Sequence, residues 1–123
     1  MQINEISGQI VDAAVKVHSV LGPGLFEGAY EGCLLHELRI RGMSATTPVI
    51  LPVAYEGVTI ELGYRLDLVV EDAVIVERGS KVLPLHCPQL LTYLRLSGKR
   101  VGLLLNFNVV HMRDGIKRMV NSL

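Results

Sequence analysis

Apolar residues open the chain three or four positions apart: Ile3, Ile6, Ile10, Ala13, Val17 and Val20. That spacing predicts an amphipathic helix, with Asn4 placed to cap it. Gly22-Pro23-Gly24 ends the helix, because proline cannot continue the hydrogen-bond ladder and glycine supplies the turn. A second helix is predicted from Leu25 to Arg41, stopped by Gly42, with Tyr30, Leu34 and Leu38 on its stripe and Glu27 in phase with them. From Thr47 the period falls to two. Val49, Leu51 and Val53 predict a strand, kept to an edge by Pro48 and Pro52. After a turn at Glu56-Gly57, a long strand is predicted through Val58, Ile60, Leu62, Tyr64, Leu66, Leu68 and Val70. Glu71-Asp72 turns into a short strand from Val74 to Glu77, and a loop follows from Arg78 to Leu85. Pro88 suits the first position of a third helix that ends at Gly98. Val101 to Phe107 is nearly all apolar, as in a strand buried on both faces. Asp114 is placed to cap a closing helix through Val120. The predicted order is α-α-β-β-β-α-β-α, an α/β domain of two or three layers. With no internal repeat or linker, residues 1–123 read as a single domain.

Composition narrows the function classes. Half of the 123 residues are hydrophobic, and twelve Lys and Arg balance twelve Asp and Glu. That is too apolar and too neutral for disorder, and it argues against gripping nucleic acid by bulk charge alone. No run approaches the length of a membrane span, and Glu5 and Asp12 precede the first cation, so neither membrane insertion nor a secretory signal is expected. Two cysteines, Cys33 and Cys87, make no disulfide framework and fit a reduced, cytoplasmic setting. A mean hydropathy of +0.39 is high for a small soluble monomer. It predicts an apolar face shared in a homo-oligomer, most simply a dimer.

Three acids are candidates for chemistry. Asp67 lies on the opposite phase from Tyr64, Leu66 and Leu68, and Glu77 ends the next strand ten positions later. A connection of three or five residues places the two carboxylates on one face of the sheet; one of two residues places them on opposite faces. In the first register their repulsion calls for a cation, and hard oxygen donors suit Mg²⁺ or Mn²⁺. The plainer alternative is a pair of solvated strand-end carboxylates. Glu27 shares a helical face with Tyr30 and Leu34, where a buried carboxylate needs a partner or a metal; alternatively it is a first-turn acid favoured by the helix dipole. Gln89 and Tyr93 stack four apart on the third helix, which by itself is weak. His86-Cys87 lacks a second pair at zinc spacing, the other histidines are scattered, and neither a Walker loop nor a serine elbow is present.

These signals fall in one order. Gly24-Leu25-Phe26-Glu27-Gly28-Ala29-Tyr30 resembles the signature of the GxxExxY family of small bacterial proteins. The likeness continues through Gly63 to Glu71, Val74 to Glu77, Leu83 to His86, Gln89 to Leu94, Gly102 to Asn108 and Asp114 to Arg118. That family resembles a compact branch of the PD-(D/E)xK nucleases. The resemblance implies a restriction-endonuclease-like fold, with a mixed central sheet flanked by helices, acting on DNA with Mg²⁺ or Mn²⁺. It makes Asp67 and Glu77 catalytic metal ligands and Glu27 a further ligand. Gln89 and Tyr93 match a Q-x-x-x-Y motif that positions substrate or ligands.

The pattern breaks where a lysine is expected two positions after the second acid, because Glu77-Arg78-Gly79 stands there. The stretch from Glu77 to His86 is shorter than usual, and Cys87-Pro88 replaces what is commonly an acidic and a small residue. Lys81 is the candidate for a displaced catalytic lysine; Arg78 carries charge but is a poor proton acceptor. Two functions therefore compete: a metal-dependent phosphodiesterase with a weakened or displaced lysine, and a nuclease-fold binding or assembly protein without catalysis.

Overall fold

Ile6, Ile10, Ala13, Ala14 and Val17 form the buried stripe of helix α1 (Ile3–Leu21). Gln2 takes the capping position in extended backbone, without a side-chain bond to the helix. Asn4 is inside the helix and is not its cap; its Oδ1 accepts from Arg118 at 2.8 Å. Gly22 ends α1 at a φ of 70°, a conformation open to glycine, and its N–H donates to His18 O. Helix α2 (Glu27–Ile40) begins two residues later than the apolar spacing predicts and buries Tyr30, Leu34 and Leu38. The Tyr30 hydroxyl donates to Gly22 O at 2.6 Å and accepts from Leu25 N–H at 3.0 Å. Its ring stacks on Phe107, with centroids 4.7 Å apart. One side chain thereby ties the α1–α2 connection to the core. The structure is a computed structural model that describes residues 1–79 and 86–121.

The strands are β1 (Ala45–Thr46), β2 (Val49–Tyr55), β3 (Val58–Leu66), β4 (Leu68–Val70), β5 (Val74–Arg78), β6 (Val101–Leu105) and β7 (Ile116–Val120). Five of them form one sheet in the order β1-β4-β5-β6-β7, while β2 and β3 pair as a separate antiparallel hairpin. Among the described residues only β5 and β6 run parallel, and helix α3 (His86–Ser97) lies between them in sequence. Val74, Val76, Leu103 and Leu105 pack on α1 and α2. Val69, Ile75 and Leu104 pack with Leu90, Tyr93 and Leu94 of α3. The result is three layers with the mixed sheet in the middle. Gly102 permits the α3 contact, since a Cβ there would lie 2.9 Å from the Leu90 side chain.

Two predicted elements differ. The long strand predicted from Val58 to Val70 breaks at Asp67. Uninterrupted alternation puts Leu66 and Leu68 on one face, yet Leu66 joins the α3-side core and Leu68 the α1–α2 side. The chain changes sheets at this point. The predicted closing helix from Asp114 to Val120 is a 3₁₀ turn (Met112–Gly115) followed by β7, antiparallel to β6. Without β7 the backbone groups along one side of β6 would lack partners, and that requirement outweighs the helical spacing of Ile116, Met119 and Val120.

Candidate functional site

The connection between β4 and β5 has three residues, Glu71, Asp72 and Ala73. Leu68 therefore faces Val76 across the ladder, and one further step sets Asp67 opposite Glu77. Asp67 N–H donates to Glu77 Oε1 at 3.3 Å, and Arg78 N–H donates to Asp67 Oδ2 at 3.0 Å. The two acids sit at the carboxyl end of β5, beside the parallel strand β6. In open α/β sheets this is the end at which ligands commonly bind.

Glu77 and Ile75 share the α3 face, whereas Arg78 follows Val76 toward α2. Burial is the first cause that pushes the Glu77 carboxyl up, to about 8, and the charge of Asp67 is the second. On the same side Tyr93 is buried, and its phenol is raised by desolvation first and then by Glu77. The Tyr93 ring packs against that of Tyr64, with centroids 5.0 Å apart. Gln89, one turn earlier on α3, is exposed.

On the α2 side, the Arg78 guanidinium lies 3.6 Å from Glu27 and 3.9 Å from Asp67, and it abuts Glu31. Arg78 Nε and Glu31 Oε2 form an ion pair without a hydrogen bond aligned between them. Thr47 Oγ1 donates to Asp67 O and lies 3.1 Å from Glu31 Oε1. Sequence reasoning missed both Glu31 and Thr47. Glu31 had a signal, since it stands four residues after Glu27 on one helical face; Thr47 had none.

The structure thus brings Glu27, Asp67, Glu77 and Tyr93 into one region, with Glu27 reaching it through Arg78. Lys81 lies outside the described residues. Among the described residues no three His, Cys, Asp or Glu side chains group as a metal cage. The Asp67–Glu77 pair still fits Mg²⁺ or Mn²⁺, because Mg²⁺ commonly takes one or two carboxylates and completes its shell with water and substrate phosphate. A cleft of about 620 Å³ lies elsewhere, under the hairpin; its ionisable residues Asp72 and Lys99 pair with each other at 3.0 Å. Among the described residues no helix is long and apolar enough to cross a membrane.

Residues 4–119 match the protein-family model described as the PD-(D/E)XK nuclease superfamily. No curated protein and no solved structure matches the chain. The five-stranded mixed sheet and three helices are consistent with a restriction-endonuclease-like fold. The match spans that sheet and those helices, and on this extent the chain belongs to the PD-(D/E)XK nuclease superfamily.

Proposed function

We propose that the chain is a metal-dependent nuclease of the GxxExxY kind, hydrolysing phosphodiester bonds in DNA with reduced efficiency. The observation that carries this reading is the pairing of Asp67 with Glu77 at the carboxyl end of β5, in a member of a nuclease superfamily. Asp67 and Glu77 would hold Mg²⁺ or Mn²⁺. Such an ion polarises a phosphate and lowers the pKa of an attacking water. Tyr93 fixes the α3 wall beside Glu77, and Gln89, exposed one turn away, is placed to meet substrate. Glu27 supports the cluster through Arg78. Lys81 is assigned the proton-handling role that Gly79 cannot fill. We further read residues 1–123 as one cytoplasmic domain that associates as a dimer.

The second reading, a nuclease-fold binding or assembly protein, draws on Gly79. Its N–H donates to Leu105 O at 3.0 Å, so position 79 continues the β5–β6 ladder beside Glu77 and presents no side chain there. A cleavage assay on linear DNA with Mn²⁺ separates the two. Weak cutting that Asp67→Ala abolishes supports the nuclease; no cutting by the wild type, with Mn²⁺ bound or not, supports the assembly reading.

A further inference from the structure

Arg78 stands next to Glu77 in β5, and strand alternation carries its side chain to the other face of the sheet. There one guanidinium meets Glu27, Glu31 and Asp67. Glu27 and Glu31 are one helical turn apart, so α2 presents them as a pair. The planar fork of arginine serves several carboxylates at once, which the point charge of lysine does not. The Glu31 and Arg78 side chains are only 20% and 29% exposed, so water screens them incompletely. Three acidic side chains thus converge on a cation supplied by the chain itself, directly behind the Asp67–Glu77 pair.

We infer that Arg78 is an internal cation that withholds Glu27 and Glu31 from a divalent ion and confines that ion to Asp67 and Glu77. The inference rests on the metal-binding reading proposed above. In this arrangement Arg78 is a positioning residue: it neutralises the α2 acids and repels a second cation approaching from that side. Removing its charge frees Glu27 and Glu31 beside Asp67, the one acid of the pair that also borders Arg78. Divalent affinity then rises, because it grows with the number of anionic oxygen ligands.

The test is calorimetric titration of the metal-free full chain with MnCl₂, for wild type, Arg78→Met and Arg78→Lys. Methionine keeps much of the apolar stem and removes the charge; lysine keeps the charge. The expected result is binding about tenfold tighter or more for Arg78→Met, with Arg78→Lys between the two, because it keeps the charge but not the fork. Equal or weaker binding by Arg78→Met overturns the inference while leaving the metal site intact. An equal gain for both variants also overturns it, because the effect would then belong to packing and not to charge. Absence of Mn²⁺ binding in all three proteins overturns this inference together with the metal-binding reading. Should Arg78→Met unfold, circular dichroism at fixed ionic strength replaces calorimetry. Recovery of helix with Mn²⁺ but not with Na⁺ supports the inference, and failure to recover overturns it.

Discussion

At the scale of single residues, Glu77 is the most informative group. Its folded carboxyl titrates near 8, against about 4.5 for the free side chain. Below pH 4.5 the group is neutral in both states and does not oppose folding. As pH rises from 4.5 to 8 the unfolded chain releases the proton first, so stability falls through this window and levels off above it. Glu77→Gln is expected to remove that decline, which is up to about 1.4 kcal/mol per pH unit. Urea midpoints at pH 5 and pH 8, with chelator present, read it out; parallel losses in both proteins would contradict the assignment. Gly79 makes the second prediction. A positioned proton-transfer group is worth about 10²–10⁴-fold in rate, so Gly79→Lys is expected to raise Mn²⁺-dependent cutting toward that range. Lys81→Ala is expected to lower it in the wild-type background. An unchanged rate in both variants would show that neither position handles the proton. The Asp67–Glu77 pairing was legible only as one of two registers, because side-chain parity follows the length of the connecting turn, which the structure sets at three residues. The reach of Arg78 was not, since a long side chain crossing a sheet end leaves no periodic trace.

At the scale of elements, the Tyr30 hydroxyl links α2 to the loop that leaves α1. Tyr30→Phe leaves Gly22 O and Leu25 N–H without this partner while keeping the stack on Phe107. A loss of about 1–3 kcal/mol is expected, measured by urea unfolding; an unchanged midpoint would mean that water replaces the hydroxyl at little cost. The tyrosine of the Gly24–Tyr30 signature is thereby given a structural task beside the acid that enters the site. The two leading helices and the buried strand at Val101 were legible because their apolar spacing matches the faces they bury. The β3–β4 break was hidden by alternation that runs on through Asp67 in sequence while the chain changes partners in space. The C-terminal strand was hidden for the opposite reason. Its short run fits helical spacing, and only the open side of β6 selects an extended conformation.

At the scale of the whole molecule, three layers place an acidic pair at the end of a mixed sheet, with α2 and α3 on either side. The β2–β3 hairpin leaves Ile50, Tyr55 and Val58 more than half exposed, as are Phe26 at the start of α2 and Val110 in the loop after β6. A sedimentation mass of two chains at micromolar concentration is expected, and a mass of one chain would contradict the dimer. The fold class was legible in the sequence because burial on both faces of a sheet requires cover on both sides. The charge arrangement was not, because it depends on which strand ends the topology brings together. The central claim is that Asp67 and Glu77 hold a divalent ion. Anomalous diffraction from Mn²⁺-soaked crystals of the wild type and Asp67→Ala tests it most directly. A manganese peak contacting both the Asp67 and Glu77 carboxylates, and lost in Asp67→Ala, is the expected result; no peak at millimolar Mn²⁺, or a peak that survives Asp67→Ala, would rule out the site.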